Sequence, residues 1–151
     1  TASTPEVLVA TGGLTTSLGA ATITSMDWIT TAADKSAGFT LSARVRYNEA
    51  VTVATSNPTI AVTNGNQGTG TGRGPHTLVY ASGTGTNELV FSLAIAAANA
   101  ATAADDVLIF AAQNVLLAGS STIKDTGTAT NSEVAISASV ASGAGSITVV
   151  A

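Results

Sequence analysis

The residues able to do chemistry are few and scattered. The chain holds one histidine, His76, five cations (Lys35, Arg44, Arg46, Arg73 and Lys124), nine carboxylates and no cysteine. A catalytic histidine needs an orienting acid and a nucleophile, and one histidine cannot build a multi-histidine metal site. His76 follows Pro75 at the end of a glycine-rich stretch and reads as a turn or surface residue. The lack of cysteine excludes disulfides, thiol catalysis and cysteine-ligated zinc. The acids Glu6, Asp27, Asp34, Glu49, Glu88, Asp105, Asp106, Asp125 and Glu133 show no EF-hand spacing. Asp105 and Asp106, with loop carbonyls, are the one pair that could offer oxygens to Ca²⁺. The reading adopted for them is solvated carboxylates at a strand start, with no cofactor. A glycosidase would need facing carboxylates and aromatic platforms, and three Phe, two Tyr and one Trp supply few. Gly70-Thr71-Gly72-Arg73-Gly74 lacks the Gly-Lys-Ser/Thr ending and the following helix of a phosphate loop. It reads as a hairpin tip on which Arg73, with His76, could touch a partner. No constellation supports acid–base or nucleophilic catalysis, so no enzyme is expected.

The net charge of −4 argues against nucleic acid, because phosphate binding needs clustered cations. Arg44 and Arg46 are the closest pair; at a spacing of two they share one face of a strand and read as solvation of that face. No apolar run approaches the length of about 18–20 residues that crosses a bilayer as a helix. The chain begins at Thr1, so either an initiator Met or a leader has been removed.

The elements that would position these groups are strands. Charged residues make up 9% against about a quarter in ordinary domains, so Thr, Ser, Asn and Gly must form the polar surface. Short hydroxylated side chains compete for local backbone hydrogen bonds and favour strands and turns. Phe39, Leu41, Ala43, Val45 and Tyr47 alternate with Thr40, Ser42, Arg44 and Arg46, the period of a strand with one buried face. Leu89–Ile95 and Val134–Val140 repeat it. Shorter matches lie at Ile60–Val62, Leu78–Tyr80, Val107–Ile109 and Ile147–Val149, and Ile23–Ile29, with Trp28, is the expected first strand. Trp28 and Tyr47 read as core anchors. Turn clusters fall at Asp34–Gly38, Asn64–Pro75, Ser82–Asn87 and Gly119–Gly127. Ala94–Asp105 has no apolar stripe and reads as a loop with at most one helical turn.

The spacing predicts an all-β fold, a sandwich of about 7–9 antiparallel strands, over residues 21–151 in one domain. Residues 1–20, Thr-rich and broken by Pro5, Gly12, Gly13 and Gly19 around Val7-Leu8-Val9, form an N-terminal arm or extra strand. Two readings stay open for it: a strand added to a neighbouring subunit, or a strand in its own sheet or a loose terminus.

Several segments, in order, carry a family likeness: Ala37-Gly38-Phe39-Thr40-Leu41, Tyr47-Asn48-Glu49-Ala50-Val51-Thr52-Val53, Tyr80-Ala81-Ser82-Gly83-Thr84-Gly85-Thr86-Asn87-Glu88-Leu89-Val90-Phe91, and Ser121-Thr122-Ile123-Lys124-Asp125. Across residues 22–137 the chain resembles the bacterial immunoglobulin-like repeat domains found in tandem in large surface proteins. The resemblance implies an immunoglobulin-like sandwich used as spacer, adhesive unit or decoration, without a shared active site. A single copy with an added arm and the further strand Ser146–Val150 points to a free-standing subunit, similar to phage capsid decoration proteins. The leading expectation is therefore a decoration or cement protein on the virion surface. It would bind a major capsid protein in many copies and self-associate, a trimer being the form suited to threefold sites. The alternative is a module of the bacterial cell surface: an adhesin, surface-layer or filament subunit. Val7, Leu8 and Val9 of the arm, with Arg73 and His76, are the candidate partner contacts. No membrane insertion is expected.

Overall fold

The fold follows from one long alternating strand and the hairpins built on it. The computed structural model describes residues 19–55, 57–65 and 74–151. Along the chain run β1 (Ile23–Trp28), β2 (Ala33–Asp34), β3 (Phe39–Ala54), β4 (Thr59–Gly65), β5 (His76–Ser82) and β6 (Thr86–Ile95). They are followed by β7 (Val107–Ile109), β8 (Gln113–Asn114), β9 (Thr122–Asp125), β10 (Ala135–Ile136), α1 (Ala138–Gly143) and β11 (Ser146–Val150). Most of the arm, with Val7, Leu8, Val9 and Arg73, lies outside the described residues.

In β3 the predicted alternation holds: Leu41, Ala43, Val45 and Tyr47 are buried, while Arg44 and Arg46 face outward. A register shift between Arg46 and Val51 divides the strand. Its first half pairs β1 and β6, and its second half pairs β9. Nine strands join in the order β1-β3-β6-β5-β4-β7-β11-β2, with β9 beside the far half of β3. The pairings are antiparallel except β11 with β2. The molecule is all-β, and its sheet curls into a half-barrel. A sandwich of two separate sheets is replaced here by one continuous ladder. The two halves are joined by β4, whose Thr59–Val62 stretch pairs β5 while Thr63–Gly65 pairs β7.

The concave side holds the core, with Met26, Leu41, Tyr47, Ile60, Leu78, Phe91, Leu108 and Ile136 almost wholly buried. Each such side chain contributes about 1.5–3 kcal/mol relative to exposure. Trp28 stacks on Phe110 with ring centroids 4.2 Å apart, and Tyr80 meets Phe91 edge-on at 6.1 Å. Both Trp28 and Tyr47 are core anchors, as their pattern predicts.

The strand expected over Val134–Val140 is only two residues long. Ser137, in extended conformation, accepts the N–H of Val140 on its side chain and starts α1, which buries Ala141. A serine cap satisfies the free amides of the first turn, and the small residues after it fit a helix as readily as a strand. β9 arises inside the Gly119–Gly127 segment predicted as turns. The Ala94–Asp105 stretch is a loop after Ile95, tied down by Lys35, whose ammonium donates to the carbonyls of Ala96, Ala97 and Asn99.

Candidate functional site

His76 opens β5 opposite Val62 and shares the inward parity of Leu78. It is 4% exposed, and its Nε2 lies 2.9 Å from the hydroxyl of the buried Thr102. Burial pushes its pKa below the usual imidazole value, while the charge of Asp106 pulls it up. The reading of His76 as a turn or surface residue is thus corrected. The alternation of β5 extends two residues back from Leu78 and carries the ring indoors, so His76 is not available as a surface contact. Its parity with Leu78 was the signal in the sequence.

Asp105 and Asp106 do not form a joint oxygen set. Asp105 is exposed, with a left-handed φ of 67°, and its N–H donates to the Val149 carbonyl. Asp106 is fully buried, and its Oδ2 accepts from Asn64 Nδ2 at 2.7 Å and from the Ala103 N–H at 2.9 Å. The left-handed turn at Asp105 leaves its side chain in solvent, while the Asp106 carboxylate closes a loop. Among the described residues no group of three or more His, Asp or Glu side chains gathers where a metal ion could sit.

Arg44 and Arg46 are not merely solvated. With Asp27 and Glu88 they form a network on the convex side of β1, β3 and β6, with N–O distances of 3.3–3.7 Å. Each side chain is about a third or more exposed, so the network is screened by solvent and adds little stability.

Glu133, which the sequence did not single out, ties β1 to the chain before β10. Its Oε2 accepts the Ile23 N–H at 2.9 Å, its own N–H donates to the Ala21 carbonyl, and its carbonyl accepts the Tyr47 hydroxyl at 3.0 Å. Burial pushes the Tyr47 phenol well above its usual pKa. Asp125 is held below the usual carboxylate value, chiefly by the Thr128 N–H, whereas burial and the neighbouring Asp125 raise Glu49. Two surface depressions border these elements. One, of about 280 Å³, lies between β1 and α1 against Thr24, Met26, Asp27 and Val140; the other, of about 270 Å³, lies against Leu117, Ile123, Ser132 and Val134. Neither brings a histidine or a second carboxylate to its walls.

Among the described residues, Lys35, Asp106, Asp125 and Glu133 thus hold backbone groups, and Asp27, Arg44, Arg46 and Glu88 pair with one another. No family model, curated protein or solved structure matches the chain.

Proposed function

We propose that this protein is a non-enzymatic structural subunit, a decoration or cement protein that binds in many copies to a virion shell through the major capsid protein. The observation that carries the reading is where its few reactive groups go. His76, Asp106 and Asp125 are buried and engaged with Thr102, Asn64 and Thr128, and Glu133, at the surface, accepts the Ile23 N–H. What remains outside is largely Thr, Ser, Ala and Gly. Such a surface packs closely over shared area with little desolvation of ions, and copy number multiplies weak contacts by avidity.

In this reading the arm, residues 1–20, and the hairpin that includes Arg73 make the shell contacts, the arm by adding a strand to a neighbour. His76 is withdrawn from that set because it is buried. The test is co-sedimentation of the full chain and of a chain starting at Gly19 with purified shells. The full chain should saturate symmetric sites, and removal of the arm should weaken binding at least tenfold. Equal binding by both would sink the role of the arm, and no binding by either would sink the capsid assignment. The likeness to bacterial surface repeats supports a second reading, a surface-layer or filament subunit, in which the arm pairs with the next copy head to tail.

A further inference from the structure

The nine-stranded sheet ends at β1, which pairs with β3 along one edge. The later chain follows the other edge. Glu133 closes its start, donating its N–H to the Ala21 carbonyl and accepting the Ile23 N–H on Oε2. Trp28 closes its end, with Nε1 donating to the Gly145 carbonyl at 3.4 Å. Between them lies the depression of about 280 Å³ against α1. Residues 24–27 of β1 all line one wall, and Ser139, Val140 and Gly143 of α1 form the other. Neighbours in a strand point to opposite faces, so a hollow touched by four in a row runs along the strand's edge.

Backbone polarity fits that geometry. The Ile29 N–H donates to the Ser42 carbonyl, and in an antiparallel ladder alternate residues face the partner strand. Met26, three residues back in unbroken register, therefore turns its N–H and C=O away from β3 and toward α1. Among the described residues no hydrogen bond from α1 reaches Met26. A bare strand edge that faces a helix across a groove is the geometry that takes an extended segment as an added strand.

We infer that this groove is the acceptor for the arm of a second copy, with Val7, Leu8 and Val9 laid against β1 as an added strand. The inference rests on the reading of the arm as a donated strand and names the site that receives it. Charge, length and direction select this occupant. The groove offers no free charge, because Asp27, its one charged residue, pairs with Arg44 at 3.5 Å and Arg46 at 3.3 Å. An uncharged apolar run rich in β-branched residues, such as Val7-Leu8-Val9, suits it. Residues 24–27 span about 13 Å, room for that run in extended form. Direction points to a neighbour's groove rather than the chain's own. Followed backwards from β1, the chain passes Glu133 and reaches Gly19, whose carbonyl accepts the Thr128 hydroxyl at 3.3 Å. It thus enters the arm heading away from the groove, and the ten residues from Gly19 back to Val9 can span about 33 Å. A head-to-tail contact of this kind repeats from copy to copy.

The test is sedimentation velocity of the full chain alone from about 1 to 500 µM, with one variant on each side of the contact. Leu8→Asp spoils the arm. Gly143→Trp fills the groove at a position where an added Cβ meets nothing within 4 Å. Ser139→Tyr, at an exposed position on the same wall, takes its place should Gly143→Trp fail to fold. Wild type should associate reversibly. Each variant alone should associate at least tenfold more weakly yet melt as wild type does, because what is lost lies between copies. An equimolar mixture of the two should regain a dimer, since one keeps a sound groove and the other a sound arm. A wild type that stays monomeric, association indifferent to either variant, or a mixture that recovers nothing would each overturn the inference. Variants that melt earlier than a monomeric wild type would overturn it too, by placing the arm in its own groove. Shell binding by a chain that stays monomeric would sink the inference and leave the capsid reading intact. Association through arm and groove without shell binding would do the reverse.

Discussion

Replacing Gly83 by alanine should be far more damaging than replacing Gly85, two residues on in the same hairpin. Both glycines have positive φ, 113° and 82°, where a side chain costs about 1–2 kcal/mol. Part of this is offset because alanine restricts the unfolded chain, by about 0.4–1 kcal/mol. A Cβ at Gly85 meets nothing within 4 Å, so Gly85→Ala should cost about 1 kcal/mol. A Cβ at Gly83 would fall inside the van der Waals shell of the Glu88 carbonyl oxygen and 3.0 Å from Leu89 Cα. Relief requires opening the hairpin where it is locked to its surroundings. There Gly85 donates to the Val51 carbonyl at 2.8 Å, Thr84 Oγ1 accepts the Val53 N–H at 3.0 Å, and the Thr84 N–H donates to the Tyr80 hydroxyl at 2.9 Å. Losing two of these, at about 1 kcal/mol each, with the same net backbone strain gives about 2–3.5 kcal/mol for Gly83→Ala. Urea unfolding followed by the fluorescence of Trp28, which stacks on Phe110, measures both variants. Values within about 1 kcal/mol of each other, roughly one hydrogen bond, would refute the packing argument.

Three further outcomes are expected. The folded pKa of His76 is depressed, so its contribution to stability is complete above the free imidazole value of about 6.5 and is lost as pH falls from there through the folded value. Against His76→Gln, which cannot titrate, denaturation midpoints of wild type should fall more steeply in that window; parallel profiles would remove His76 as the cause. Glu88→Gln breaks contacts to Arg44 and Arg46 at partly exposed positions and should cost less than about 1 kcal/mol, a difference that thermal melts should find smaller still at high salt. Ser137→Ala removes the cap of α1 and should cost about 1 kcal/mol, read as earlier hydrogen exchange of the Ala141 amide.

The strands with several apolar residues on one face were legible in the sequence. In β3 the burial of Leu41, Ala43, Val45 and Tyr47 follows directly from their period of two. β9 was hidden because Ile123 is its one apolar residue; its place comes from pairing with β3 and from the capped carboxylate of Asp125. The region after Ile136 misled because Ala138 and Val140 fit the strand parity, while the cap at Ser137 is a tertiary choice between two permitted local structures. The continuous curl of the sheet was equally hidden, since alternation tells which side of a strand is buried but not how ladders join. Among the candidate site residues, the outward pair Arg44 and Arg46 was legible but its ion partners were not. Asp27 and Glu88 come from two other strands, brought alongside only by register. The roles of Glu133, Thr102 and Asn64 rest on loops docking across the sheet, which no local spacing encodes.

Electron microscopy of the native assembly that contains this chain tests the central claim most directly. The account predicts copies at symmetric positions on an icosahedral shell, with residues 1–20 of each reaching a neighbouring subunit. Copies stacked along a fibre or studding a cell envelope would contradict it and make the protein a filament or surface-layer subunit instead.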